Sequence, residues 1–278
     1  MKNPFLRLSC TLLALATVPS FAEDAAPAVT SIVSEDFENV AVGGIPKGFT
    51  KTGAIAVTEE EGAHSGKHAL RIEPATKGGR FISLDRERVT ALGGQFWGRL
   101  YYKVKIPSPL PVIPLGKSSG IIHSTLVSGK ATSPLAKDPI ELRLMGTVTD
   151  MSGAFRYVYN VQPKGKGRKE FGARAKGKTY YSDSWTLLEW SVDYATQSYQ
   201  FFVNGEEVND LALHKGAGQF AGVEIPERFE SLSIGWTNYQ PTENEGFTVW
   251  IDDLALSKTR IGKTADPAPA PAAEAAQK

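Results

Sequence analysis

The sequence predicts an all-β protein, an antiparallel β-sandwich or jelly roll. Two observations lead there. Short segments with alternating apolar and polar residues recur along most of the chain, separated by clusters of Gly, Pro, Asn and Asp. Helical periodicity is almost absent, and many strands with turns at short intervals are the signature of an antiparallel sandwich. Gly98–Ile106 is the clearest case: Leu100, Tyr102, Val104 and Ile106 fall on one side, and Arg99, Tyr101, Lys103 and Lys105 on the other. Successive side chains of a strand point to opposite faces, so such a segment buries one row and exposes the next.

Taken in order, residues 1–22 have the form of a secretory signal peptide. Lys2 and Arg7 precede the mostly apolar stretch Leu8–Val18, and Ser20-Phe21-Ala22 ends it as a small-x-small cleavage site. Residues 23–33 form an Ala/Pro-containing leader. A single domain is expected over 34–262, with strands at Ile55–Val57, Ala69–Glu73, Gly79–Ser83, Gln95–Ile106, Gly120–Val127, Ile140–Met145, Phe155–Val161, Trp185–Tyr194, Ser198–Val203, Ser231–Thr237 and Phe247–Ser257. The Asn204-Gly205 pair reads as a turn after the Ser198–Val203 strand. Five tryptophans, Trp97, Trp185, Trp190, Trp236 and Trp250, fall in or at these strands and are expected in the core. Residues 263–278 are an Ala/Pro-rich, low-complexity tail that cannot bury a core.

Bulk numbers narrow the function classes. The only cysteine is Cys10, inside the signal, so the domain has no disulfide and rests on its core or on a metal. No later stretch approaches the ~18 continuous apolar residues of a membrane span. The formal net charge is +1, and neither it nor any recognised motif points to nucleic acid. The segment Lys164–Lys178 carries seven basic residues against one acid and would attract an anionic polymer, or be a solvated hairpin. A monomer in a secreted or periplasmic location is expected. There is no Glu-x-Asp-x-x-Glu strand for a retaining glucanase, no Gly-x-Ser-x-Gly elbow, no His-Glu-x-x-His helix and no phosphate-binding glycine loop.

Three segments describe the domain's ends: Glu35-Asp36-Phe37-Glu38, His64-Ser65-Gly66-Lys67-His68 and Val249-Trp250-Ile251-Asp252-Asp253. The middle carries Trp97-Gly98-Arg99-Leu100-Tyr101, Ile122-His123, Glu141-Leu142-Arg143, Leu188-Glu189-Trp190 and Gly235-Trp236-Thr237-Asn238-Tyr239-Gln240. In this order they resemble polysaccharide-lyase-type, concanavalin-A-like jelly rolls. The nearest likeness is to the core domain of fungal cellulose-induced secreted proteins and their bacterial relatives, which are similar to glucuronan lyases. The resemblance implies that the first and last strands pair. It also implies a structural calcium ion held by Glu38, Ser65, Lys67 and Asp252 or Asp253, in keeping with calcium's demand for about six to eight hard oxygens. No organic cofactor is expected.

The resemblance further implies cleavage of a polyuronate by β-elimination. Arg143 or Arg99 would grip the sugar carboxylate with a bidentate fork. His123 would assist or act as base, and Tyr239 would be base or acid. His123 matches the histidine of the Gln-Ile-His motif in alginate-lyase-type jelly rolls, although Ile121 stands where that motif has Gln, and Tyr239 sits one place later than its counterpart. Tyr101, Lys103, Glu141, Tyr159 and Gln240 complete the expected substrate groove. Read as residues alone, several have an equal structural explanation. Glu141 and Arg143 can make a sheet-surface salt bridge, and Tyr101 and Tyr159 can be half-buried strand aromatics. A non-catalytic carbohydrate-binding protein on the same groove is the alternative, and an envelope structural protein is a third.

Overall fold

A computed structural model describes residues 31–111, 113, 120–132, 139–163, 171–213 and 225–263. The expected signal peptide, most of the leader, almost all of the tail and positions 164–170 of the basic segment lie outside them. The described chain forms strands β1 (Ser31–Glu35), β2 (Phe49–Thr52), β3 (Ile55–Glu59), β4 (His68–Ile72) and β5 (Gly78–Leu84), helix α1 (Arg86–Leu92), then β6 (Gln95–Lys105), β7 (Ile121–Thr132), β8 (Ile140–Asp150), β9 (Ala154–Pro163), β10 (Phe171–Arg174), β11 (Thr179–Tyr180), β12 (Thr186–Asp193), β13 (Ser198–Val203), β14 (Glu206–Glu207), β15 (Arg228–Asn238) and β16 (Thr248–Ser257).

These strands make two antiparallel sheets packed face to face, the sandwich the alternation predicts. The first runs β14-β13-β12-β6-β16-β4-β3, with β1 also on β16; the second runs β10-β9-β8-β7-β15-β5-β2, with β11 on β9. The first and last strands pair, Ser34 opposite Ala255 and Glu35 opposite Leu254. β1 includes Ser31–Val33, which fall within the expected leader.

Between the sheets lies one apolar core, filled by Leu100, Leu142, Leu144, Tyr159, Trp190, Tyr199, Phe201, Ile234, Trp236 and Ile251 among others. Aromatic rings of this size each remove about 150–250 Å² from water, so they dominate its burial. Trp190 and Trp236 occupy it as expected. Trp97, Trp185 and Trp250 do not: the core cluster omits all three. For Trp250 the reason is parity, since its neighbours Val249 and Ile251 take the inward positions of β16.

Helix α1 was not legible because seven residues make only two turns, too few for a period to show. Local chemistry makes it nonetheless. The Asp85 carboxylate accepts the Arg88 N–H at 2.9 Å as an N-cap, Val89 and Leu92 are buried, and Gly93 ends it at a positive φ of 56°.

A close approach fixes one glycine. Gly98 lies opposite Trp190, and a Cβ there would stand 2.1 Å from Cζ2 of that buried indole. Gly98→Ala is expected to lower unfolding stability by about 1–3 kcal/mol, the usual cost of overpacking a full core. Urea denaturation checks this, and an unchanged midpoint would contradict the packing.

Candidate functional site

The outer face of the second sheet gathers most of the polar residues singled out above. On β7, Ile122 is buried toward the core while His123 is partly exposed; on β8, Leu142 and Leu144 are buried while Glu141 and Arg143 alternate outward. His123, Thr125, Arg143 and Asn160 line one open cavity of about 330 Å³ on this sheet. Two irregularities shape it. The β7–β8 register shifts between Thr125 and Ser128, and the β8–β9 register shifts between Arg143 and Gly146. Bulges of this kind bend a strand and re-aim its side chains.

Tyr239 reaches the same place from the end of β15. The Arg143 guanidinium carbon lies 3.8 Å from the centre of the Tyr239 ring, a cation–π contact. The Tyr239 hydroxyl is 3.5 Å from Glu141 Oε1, and Arg143 Nε is 3.6 Å from that same oxygen. Glu141 and Arg143 are therefore both sheet-surface partners and neighbours of Tyr239. Burial raises the Tyr239 phenol above its ordinary value, with Glu141 adding to the rise, while the Arg143 charge pulls it back down.

Gln240 clamps His123 at two points. Its Oε1 accepts the His123 backbone N–H at 2.7 Å, and its Nε2 lies 2.9 Å from His123 Nδ1. With the amide oxygen fixed by the backbone, the amide N–H₂ donates to Nδ1, and the neutral imidazole carries its proton on Nε2. Tyr239 N–H donates to the His123 carbonyl at 3.1 Å, extending the β15–β7 ladder past Asn238. Gln240 thus positions His123.

Three expected site residues lie in the other sheet, and a fourth, on β9 beside the cavity, turns its ring into the core. Arg99, Tyr101 and Lys103 are on β6, in the other sheet. Arg99 is 8% exposed and donates to the carbonyls of Asp253 and Gly262, so its fork is spent on the backbone. Tyr101 stacks on the His64 ring at 3.4 Å, and Lys103 lies over the rings of Trp185 and Trp250 at 5.1 and 4.9 Å. Tyr159 is fully buried and stacks on Tyr199 at 4.3 Å in the core. Parity gives the reason: Phe155, Tyr157, Tyr159 and Val161 point inward on β9. The alternate residues Arg156 and Asn160 belong to the outer face, opposite Val148 and Arg143. Asn160 and the exposed Arg174, the latter one of the seven basic residues of the Lys164–Lys178 segment, line the cavity beside His123; Asn160 was not picked out from sequence. The same alternation, run through β9, would have found Arg156 and Asn160.

The residues assigned to calcium do meet, at a gap along β16. There β4 pairs with Val249–Ile251 and β1 with Leu254–Ser257, leaving Asp252 and Asp253 between them. The donors do not fit a calcium cage. Asp252 Oδ2 accepts the backbone N–H groups of His64 and Ser65, and its Oδ1 accepts that of Asp253. Asp253 takes the His64 ring at 2.5 Å and the Ser65 hydroxyl at 3.0 Å. Glu38 Oε1 accepts the N–H groups of Lys67 and His68. Amide donors surround these oxygens where a cation would need carbonyls, and among the described residues no three His, Cys, Asp or Glu side chains gather to hold a metal. The turn joins the chain ends by direct hydrogen bonds.

No family model matches the chain, and no curated protein does. Solved structures share its fold. The cellulose-induced protein Cip1 superposes with a TM-score of 0.51 at 14% identity, over 84% of this chain and all of that one. A structure reported for endo-acting O-glycanases of the human gut microbiota that initiate mucin breakdown gives 0.52 at 10% identity, over 83% of this chain and all of that one. At these identities the likeness concerns the jelly-roll fold.

Two outcomes are expected. In Gln240→Leu the imidazole loses its anchor, and ¹⁵N chemical shifts of the His123 ring should change from an Nε2–H form to a mixture of tautomers; an unchanged ring spectrum would contradict the clamp. Adding ~1 mM calcium or an excess of chelator should move the melting temperature by less than about 1 °C, because a ligand stabilises only a fold that binds it. A rise of several degrees with calcium would show that a cation takes the carboxylates.

Proposed function

We propose that this protein is a secreted or periplasmic polysaccharide-active protein whose outer groove binds a polyuronate and cleaves it by β-elimination. The observation that carries the reading is the meeting of His123, Arg143 and Tyr239 on one sheet face. Cip1 is a cellulose-induced protein and the O-glycanases initiate mucin breakdown, which lends general support to a glycan ligand. The amino-terminal signal pattern supports export.

The chemistry follows from the donors. β-Elimination needs the uronate carboxylate neutralised, so that the proton on C5 becomes removable. Arg143 supplies a guanidinium, and the Nε2–H of His123 supplies a second donor. Arg156 and Arg174 add positive charge on the same side of the sheet and help to draw in an anionic chain. Tyr239, once deprotonated to a phenolate that the Arg143 charge over its ring favours, is the group to accept the C5 proton. The electron pair left at C5 forms the C4–C5 double bond, the C4–O4 bond breaks, and the departing oxygen takes a proton from the Tyr239 hydroxyl. Glu141, beside both Tyr239 and Arg143, sets their spacing. No metal enters this sequence.

A second reading is non-catalytic carbohydrate binding in the same groove. Ile121 in place of a glutamine favours it, because one carboxylate-neutralising group of the lyase pattern is missing. So does the raised phenol of Tyr239, which resists forming the phenolate a base must supply.

Absorbance near 235 nm during incubation with glucuronan, alginate and pectate decides between them. A lyase produces an unsaturated uronate and a rising trace. Tyr239→Phe and His123→Ala should each lower the rate by about a hundredfold or more, as loss of a proton-transfer or charge-stabilising group does. A flat trace on all three polymers, with retardation in polysaccharide affinity gels, would leave the binding reading standing.

A further inference from the structure

A second cavity, of about 430 Å³, opens between the two sheets at the edge where β11 and the following segment cross from one to the other. It is separate from the outer groove: its walls are the inward faces of β6 and β9, with Tyr102 and Val104 on one side and Phe155 and Tyr157 on the other. Tyr181 closes the depth and stacks on Phe155 at 4.0 Å. A cavity of this size suits a molecule of one or two rings.

The informative feature is a pair of buried hydroxyls. Tyr102 and Tyr157 are 4% and 7% exposed, and their oxygens lie 2.6 Å apart. Burial raises both phenols, so both keep their protons. Two hydroxyls carry two protons, and the bond between them uses one. Among the described residues neither hydroxyl has another hydrogen-bond partner, whereas the Tyr181 hydroxyl is matched with Thr147 and Thr149. The second proton therefore needs an acceptor, and both tyrosines face the cavity. An unmet buried donor costs about 1–3 kcal/mol, which a ligand oxygen would recover.

We infer that this inter-sheet cavity is a binding site for a small uncharged aromatic molecule bearing one acceptor oxygen, which the Tyr102–Tyr157 pair would hold. The ring would lie among Phe155, Tyr157 and Tyr181. Charge is not called for, because the ionic groups at the mouth are already matched, Lys178 with Asp150 at 2.7 Å and Lys176 with Asp210 at 3.0 Å. A sugar fits less well. Its several hydroxyls would need partners at a depth where the free capacity is a single proton, while the other hydroxyl and amide groups of the walls, Thr179, Tyr180, Ser182, Ser184, Thr186 and Asn204, are exposed or half-buried.

The test uses acetophenone, which carries an acceptor oxygen, and ethylbenzene, which has a similar shape without one. Calorimetry and saturation-transfer NMR on the full chain should show acetophenone binding about five- to tenfold more tightly, the worth of one hydrogen bond. The double variant Tyr102→Phe with Tyr157→Phe keeps the shape and removes both hydroxyls, a change that is nearly neutral for folding. It should bring the two affinities together while retaining ethylbenzene. Val208→Trp, at the half-buried mouth, should weaken both. No saturable binding of acetophenone to the wild-type protein, an unchanged preference in the double variant, or binding indifferent to Val208→Trp would overturn the assignment. So would cellobiose binding with the same dependence on the tyrosine pair. Each readout is independent of polyuronate cleavage.

Discussion

The seam between β7 and β15 is the constraint on which the groove depends. Thr237 pairs with Thr125 and Asn238 with Ser124, and the ladder then continues through Tyr239 and Gln240 to His123. Asn238 locks this seam from beneath. It is 1% exposed; its Oδ1 accepts the Trp236 indole N–H at 2.6 Å and the Ser124 hydroxyl at 3.2 Å, and its amide donates to the Ala75 carbonyl. A buried amide engaged through both its oxygen and its nitrogen permits one register and penalises slippage. A shift of a single residue would send Tyr239 and His123 to opposite faces. The groove's chemistry is thus tied to the core through one asparagine and one tryptophan.

The chain ends are held by comparable means on the other sheet. The turn from His64 to His68 fills the gap between β1 and β4, and its amides are taken by Glu38 and Asp252. Burial pushes Asp252 up to about 7, with Asp253 adding to the effect, so this junction rests on hydrogen bonds more than on bare charge. Farther along, Arg260 grips the buried Glu189 through two bonds of 3.1 and 2.8 Å, and the Gly262 N–H joins them. A domain without disulfides is closed by polar contacts between segments far apart in sequence.

Alternation carried most of the fold. Strands such as β6, β8 and β13 were legible because one face is apolar and the other is not, and the pairing of first and last strands followed from the resemblance. The short elements β2, β10, β11 and β14 were not, since two to four residues show no period. The site was legible where a side chain's face follows from parity, as for His123 and Arg143. It failed where sheet membership decides the outcome. Arg99, Tyr101 and Lys103 face outward, yet on the wrong sheet, and no local pattern distinguishes the two. Gln240's hold on His123 joins residues 117 apart in sequence, a contact that only the folded seam creates.

The central claim is that an anionic polysaccharide docks on the His123 face. The other sheet presents a rival surface, where Tyr101, Lys103, Trp185 and Trp250 cluster. Titrating isotopically labelled protein with a uronate oligosaccharide, and following its amide and side-chain NMR signals, separates the two. The account predicts that the largest shifts fall on His123, Arg143, Asn160, Arg174 and Tyr239. Shifts centred on Lys103 and Trp250, or none at all, would contradict it.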